Sequence, residues 1–147
     1  MAQDEHITPT PEMIGNVASK FGYSNLIGMK IVTVGEGIGR VAISVDERLM
    51  HPQMIVHGGV IFTLADTAMS MALISVFPPG ASVSTIEAKV NYLLPVREGE
   101  LLAEATITHQ GRSIAVTEAT VFNIVNGERK AVAKVLGTFS IRVPKTA

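Results

Sequence analysis

The sequence contains no cysteine, which excludes disulfide bridges, cysteine nucleophiles and thiolate metal sites and is typical of a reducing cytoplasm. Basic and acidic residues nearly cancel, 12 against 13, and no basic run is present, so neither nucleic acid nor an anionic membrane is expected as a partner. The polar, acidic stretch MAQDEHITPTPEM is unlike a secretory signal. We therefore predict a cytoplasmic protein.

Three common motifs are also missing. The sequence has no H-E-x-x-H metal motif, no glycine-rich phosphate loop of the Walker or dinucleotide type, and no G-x-S-x-G nucleophile elbow. No His and carboxylate cluster suggests a metal ion. We expect neither a metal nor a serine nucleophile.

Charge is nearly absent from the middle of the chain. Between Leu49 and Ile86 the only Asp, Glu, Lys or Arg is Asp66, and a lone carboxylate in an apolar element is costly unless it is used or satisfied. The segment from Gly58 to Phe77 has the length of a bilayer-spanning helix. Because Asp66 lies near its centre and PPG follows it, we predict a helix enclosed by protein.

The flanks of this helix predict one short helix and six strands. Thr10 as N-cap and Pro11 in the first turn begin the short helix, and Gly22 closes it. Alternating apolar residues predict the strands; in VSTIEAKVNYL they place Ile86 and Tyr92 on one face. The strand candidates are 25–34, 39–47, 83–93, 100–110, 113–125 and 130–143, with a hairpin turn at GEGIG. The order of these elements predicts a single α+β domain that spans residues 1–147. Its first part, 1–24, is a helical segment. In the core, 25–147, an antiparallel sheet curls around the long helix.

Two stretches carry a family resemblance. HGGVIFTLADTA, followed by TIEAKVNYLLPVREGELLAEATITHQGRSIAVTEATVF, resembles the hotdog-fold acyl-CoA thioesterases of the PaaI-like (phenylacetic acid degradation) type, which are related to 4-hydroxybenzoyl-CoA thioesterases. The resemblance runs from about His51 to Ile141, and its most specific feature is HGG with Asp eight residues after the first Gly. It implies a hotdog fold, a curved antiparallel sheet around one long central helix, and hydrolysis of an acyl-CoA. CoA would enter as part of the substrate, with no separate cofactor.

Asp66 and Gly58 are the main catalytic candidates. Thioester hydrolysis needs a polarised carbonyl and either an activated water or a carboxylate nucleophile. Asp66 is predicted to be the general base or the nucleophile, and the Gly58 N–H, at the positive end of the helix dipole, the oxyanion donor. The alternatives are a carboxylate satisfied by Thr63, Thr67 or Ser70, and a Gly pair that only lets helix and strand approach closely.

The spacing of these two groups predicts a dimer. Eight residues of helix separate them by about 12 Å along the axis, which is long for one thioester. A two-fold related subunit could pair Gly58 of one chain with Asp66 of the other, and the resemblance likewise implies active sites shared across a dimer, often within a dimer of dimers. We predict an inactive monomer.

Two histidines, His51 and His57, precede the Gly58-Gly59 pair. Related enzymes usually carry Asn or Gln where this chain has His51, seven residues before the first Gly. The imidazole could orient water or act as a base, or His51 could be an ordinary loop residue. His57 is predicted to be mainly structural, ordering the turn before the helix.

Thr85 corresponds to a Ser or Thr that helps to hold water in related sequences, seven residues before Tyr92. A slip of one residue would select Ser84 instead and point the side chain to the other face. The alternative for Thr85 is an ordinary strand threonine.

The substrate contacts are predicted more loosely. The resemblance implies CoA contacts from Gly111, Arg112 and Ser113 in HQGRS, with Gly59 beside the oxyanion donor; Lys89 and Arg97 are more readily solvated surface charges. The acyl pocket is predicted near Phe62, Met69, Leu73 and the start of the third strand. Two alternative functions stay open: a hotdog-fold acyl-CoA hydratase or dehydratase using His51 with a carboxylate, and a non-catalytic acyl-CoA binding protein.

Overall fold

The structure, a computed structural model, describes residues 9–18 and 22–144. The predictions for the polar N-terminus and for residues 19–21 of the first helix lie outside the described residues. Three helices and six strands follow in chain order: α1 Pro11–Ala18, α2 Gly22–Ile27, β1 Lys30–Gly35, β2 Ile38–Ser44, α3 Gly58–Ile74, β3 Ser82–Tyr92, β4 Glu100–Gln110, β5 Ile114–Val125 and β6 Glu128–Arg142.

The six strands form one antiparallel sheet in the order β1-β2-β4-β5-β6-β3, which packs against α3. This arrangement confirms the predicted hotdog fold. The β1–β2 and β5–β6 hairpins turn at Glu36-Gly37 and Asn126-Gly127, and all four residues have positive φ, as two-residue type I′ turns require. The sheet ends in two edge strands, β1 on one side and β3 on the other.

The N-terminal region differs from the prediction. Thr10 caps α1 as expected, because its Oγ1 accepts a hydrogen bond of 3.2 Å from Met13 N. Gly22, however, begins α2 rather than closing the first helix, and residues 25–27, predicted as strand, are helical. A short apolar run such as Leu26-Ile27 fits either structure by periodicity alone, and the chain leaves this helix at Gly28 with φ +79.

The long helix is three residues shorter than predicted. It ends at Ile74, and its C-cap, Ser75, is buried. The Ser75 hydroxyl donates to Ala72 O at 2.7 Å and accepts from Gly37 N at 2.8 Å. These bonds connect the end of α3 to the β1–β2 turn and satisfy a polar side chain that burial would otherwise penalise.

The sheet covers one face of α3. Its buried residues are Ile61, Leu64, Ala65, Ala68, Met69, Met71, Ala72 and Leu73. At Gly39 of β2 the helix and the sheet approach so closely that a Cβ would overlap the Ala68 carbonyl oxygen. The other face, which we call the open stripe, is not fully buried; it consists of Gly59, Phe62, Thr63, Asp66, Ser70 and Ile74. The sheet thus covers one side of the helix, and Tyr23 and Thr85 contact the other side without burying it. The predicted enclosure by protein is therefore partial.

A β-bulge interrupts β3. The pairing with β6 shifts between Thr85 and Glu87, so Ile86 is an extra residue, and its side chain is exposed. The prediction that Ile86 and Tyr92 lie on one face of the strand is therefore wrong. The bulge also reverses the alternation before it, and this brings Thr85 to the helix side of the sheet.

None of the helices in the described ranges combines the length and the apolar character needed to cross a membrane.

Candidate active site

Asp66 lies half-buried in the middle of the open stripe. Its Oδ1 accepts a hydrogen bond of 2.7 Å from the Thr85 hydroxyl of β3. Two of the three neighbours named on its own helix are engaged elsewhere: Ser70 Oγ donates to the Asp66 main-chain oxygen, and Thr63 Oγ1 is hydrogen-bonded to the Tyr23 hydroxyl. The carboxylate is therefore held from the edge strand by Thr85, and among the described residues no hydrogen bond joins it to Ser84.

The HGG segment forms the first turn of α3. His57 is the N-cap: its Nδ1 accepts from Gly59 N and its carbonyl from Val60 N, both at 2.9 Å. This confirms the structural role predicted for His57. Of these first N–H groups, only that of Gly58 has no acceptor among the described residues. A free N–H at the positive end of a helix can bind an oxyanion.

Gly58 is also in close contact with Tyr92 of β3. The Tyr92 hydroxyl donates to the Gly58 carbonyl at 2.9 Å, and a Cβ on Gly58 would lie 3.0 Å from two atoms of the tyrosine. The close-approach explanation of this glycine is thus correct, and it is compatible with a donor role because the contact leaves the N–H free. Sequence reasoning missed this use of Tyr92, since a bond to a backbone carbonyl leaves no pattern in the sequence.

His51 lies in a tightly closed loop before α3. Its Nδ1 accepts from Gln53 N at 3.0 Å, its N–H donates to Ile55 O, and its carbonyl accepts from Met54 N. Within the described residues no hydrogen bond joins His51 to Asp66. The structure pairs Asp66 with Thr85 and Gly58 with Tyr92, but it does not bond His51 to either pair.

The residues predicted to contact CoA lie in two places. Arg112 and Ser113 are exposed in the β4–β5 turn, which two main-chain bonds hold, Gly111 N to Ile114 O and Ile141 N to Ser113 O. Gly59 lies at the start of α3, where its N–H is already bonded to His57.

Lys89 and Arg97, the weaker candidates, have local partners. Lys89 donates to Asn91 Oδ1 at 2.8 Å, and Arg97 donates to Met54 O at 3.3 Å. Both side chains belong to exposed residues. These contacts agree with the surface-charge alternative.

The predicted acyl pocket needs a correction. Met69 and Leu73 are fully buried in the core against the sheet, so they do not line an open pocket in this chain. Helical periodicity places them on the covered face, whereas Phe62 lies on the open stripe with Asp66. Of the three helix residues predicted to line the pocket, only Phe62 is accessible beside the carboxylate.

The outer face of the sheet offers a groove of about 440 Å³, whose lining includes the charged residues Arg40, Lys89, Glu104, Glu118 and Lys134. Glu104 accepts from Arg40 at 3.1 Å and also from Arg129. Burial raises the pKa of Glu104, but the hydrogen bonds from the two arginines outweigh it, so the pKa lies below its usual value.

The described part of the chain contains no group of three or more His, Asp or Glu side chains that could hold a metal ion.

Comparison with known proteins identifies the family. Residues 53–129 match the model of the thioesterase superfamily. The chain belongs to this superfamily. It is 32% identical over 108 residues to the acyl-coenzyme A thioesterase PaaI of Escherichia coli, covering 73% of each chain. It is 32% identical over 100 residues to the 1,4-dihydroxy-2-naphthoyl-CoA hydrolase of Listeria monocytogenes, covering 68% of this chain and 81% of the relative.

The solved structures agree with this assignment. A crystal structure of a thioesterase from Haemophilus influenzae superposes with a TM-score of 0.84 at 30% identity, covering 93% of both chains. The predicted resemblance to PaaI-like thioesterases is confirmed.

Proposed function

We propose that this superfamily member is an acyl-CoA thioesterase that hydrolyses an aryl-, short- or medium-chain acyl-CoA to the free acid and CoA. The observation that carries the proposal is the hydrogen bond between Thr85 of β3 and Asp66 on the open stripe of α3, a helix in whose first turn the Gly58 N–H has no acceptor among the described residues. The names of two relatives, an acyl-CoA thioesterase and an aroyl-CoA hydrolase, support this substrate class.

In the proposed reaction the Asp66 carboxylate either removes a proton from an attacking water or attacks the thioester carbon itself. Thr85 donates to Oδ1, which holds the carboxylate in place and leaves Oδ2 for the water or the substrate. Negative charge develops on the carbonyl oxygen, where the Gly58 N–H stabilises it. The carbon–sulfur bond then breaks, and CoA leaves as the thiolate and takes up a proton. Where Asp66 is the nucleophile, water then hydrolyses the acyl–Asp66 anhydride, which releases the acid and restores the carboxylate. His51 and Thr85 are proposed to position the water.

The proposed active unit is a homodimer. Gly58 and Asp66 lie on one helix, about 12 Å apart along its axis, so the two-fold partner is proposed to supply the missing group to each site. Exposed apolar side chains on and after β3 support an interface near the site; they are Ile86, Tyr92, Leu93 and Leu94. An active monomer, found by light scattering coupled to the assay, would contradict this proposal. A dimer of dimers is the proposed assembly.

The proposed contacts of the CoA moiety come from Gly111, Arg112 and Ser113 in the β4–β5 turn, and from Gly59 at the start of α3. The guanidinium of Arg112 would pair with a phosphate. The exposure of this turn and the bonds that fix its main chain support the proposal.

The test is free-thiol release from a panel of aryl, short-chain and medium-chain acyl-CoAs. Asp66→Asn should lower kcat at least about a hundredfold, as expected for loss of a general base. Glu87→Gln is a matched control, because Glu87 also accepts from a threonine hydroxyl, that of Thr138 at 2.8 Å. It should retain wild-type turnover.

Two results would overturn the proposal: no thiol release by the wild type from any substrate, or full activity in Asp66→Asn. If the wild type releases no thiol, the next assays should measure the hydration of an enoyl-CoA and the binding of acyl-CoAs. Each assay should compare the wild type with His51→Ala.

A further inference from the structure

The chain has two tyrosines, and both bond to α3. Tyr92 donates to the Gly58 carbonyl, and Tyr23 shares a hydrogen bond with Thr63 Oγ1, each at 2.9 Å. Their exposed fractions are similar, 52% and 56%. They differ in what they hold: Tyr23 contacts a side chain in the second turn of the helix, and Tyr92 contacts the backbone of the first residue.

We propose that Tyr92 is a positioning residue for the oxyanion donor, because it fixes the Gly58 backbone from β3. This inference rests on the proposed function, in which the Gly58 N–H is the donor. Glycine is conformationally permissive, so a donor on this residue needs external support. Tyr92 supplies it twice, through the bond to the carbonyl and through its ring, which lies about 3.0 Å from the position that a Cβ on Gly58 would take.

The same strand holds the other catalytic candidate. Thr85 and Tyr92 are seven residues apart on β3, and they bond to Asp66 and Gly58 respectively. The edge strand therefore contacts α3 through hydrogen bonds at both functional positions. Such fixed geometry is what an oxyanion hole requires, because the donor has to be oriented before charge develops.

The protonation of Tyr92 suits this role. Burial raises its pKa above the usual value, so the hydroxyl is protonated and able to donate throughout the neutral range. The bond is lost only when the pH rises through this raised pKa.

Tyr92→Phe tests the inference, with Tyr23→Phe as the matched control. Tyr92→Phe should lower kcat about tenfold with KM unchanged, a fraction of the cost of removing an oxyanion donor altogether. Tyr23→Phe should stay within about twofold of the wild type in both constants. Thermal denaturation should show similar stability for the two variants, because each loses one partly exposed hydroxyl.

A second readout does not depend on turnover. In ¹⁵N–¹H spectra the Gly58 amide resonance should move in Tyr92→Phe and stay in place in Tyr23→Phe. Equal kcat values in the two variants, or an unmoved Gly58 amide in Tyr92→Phe, would overturn the inference while Asp66→Asn still tests the proposed function. If the wild type released no thiol, the proposed function would fail, and the amide resonance would still show whether Tyr92 fixes Gly58.

Discussion

The two faces of α3 are held by different interactions. Against the sheet the helix packs through small and apolar side chains, so closely at Gly39 that a Cβ would overlap the backbone. On the open stripe and at its first turn it is held by hydroxyl groups from Thr85, Tyr92 and Tyr23. Apolar contacts are close-packed but non-directional, whereas hydrogen bonds fix particular atoms.

Because of this difference, we expect one face of α3 to contribute mainly to stability and the other mainly to catalysis. Changes on the covered face should act mainly on the free energy of unfolding, and changes at the bonds that β3 makes to Asp66 and Gly58 mainly on turnover. The following substitutions test that separation.

Gly39→Ala should have the largest effect, a loss of about 3 kcal/mol in the free energy of unfolding. The new methyl group would meet the Ala68 carbonyl and the Ala72 nitrogen, which are backbone atoms and cannot rotate away. Urea denaturation at fixed protein concentration measures it. Gly35→Ala is the control, since nothing lies within 4 Å of a Cβ there. Equal stability of the two variants would show that β2 and α3 can move apart at little cost.

Thr85→Val should act on turnover instead. Removing the hydroxyl that holds Asp66 Oδ1 should lower kcat about tenfold, roughly 1.4 kcal/mol of activation free energy, with little loss of stability because valine suits a strand. The control is Thr138→Val, which removes the hydroxyl bonded to Glu87 on the same pair of strands. If both variants kept wild-type kcat, Asp66 would not need a partner on β3.

Thr117→Val should have the smallest effect, and it should stabilise. Thr117 is fully buried in β5, and its hydroxyl has no hydrogen-bond partner within the described ranges. Replacing it by a methyl group should raise the free energy of unfolding by about 1 kcal/mol. Thr120→Val is the control. The Thr120 hydroxyl accepts a hydrogen bond from Lys134, so its loss should not raise the free energy of unfolding. If Thr117→Val were less stable than the wild type, the Thr117 hydroxyl would make a polar contact in the interior that stabilises the fold.

Much of the fold could be predicted from periodicity. The bounds of β4 were predicted to the residue and those of β5 within one, because alternating strands separated by turn residues leave little freedom in register. The second helix was missed because its six residues, Gly22–Ile27, are too few to show a helical period. The β3 bulge was missed because a pattern of period two cannot show where an extra residue is inserted.

The bulge also limited how much of the site could be predicted from the sequence. Asp66 and the HGG turn could be found from the lack of other charges and from the resemblance. Simple alternation, however, places Thr85 on the same face as Glu87, away from the helix. Only the extra residue at Ile86 brings the threonine to Asp66. The Tyr92 contact depends on the path of the backbone, which side-chain patterns do not describe.

The position of β3 in the sheet sets an order for assembling the site. Within the described ranges its only strand partner is β6, so β3 cannot join the sheet until Glu128–Arg142 has formed. Pairing across such long sequence separations is slow. A growing chain therefore carries Gly58 and Asp66 long before it can fix either of them, and we expect a nascent chain that has not yet reached β6 to have no functional site.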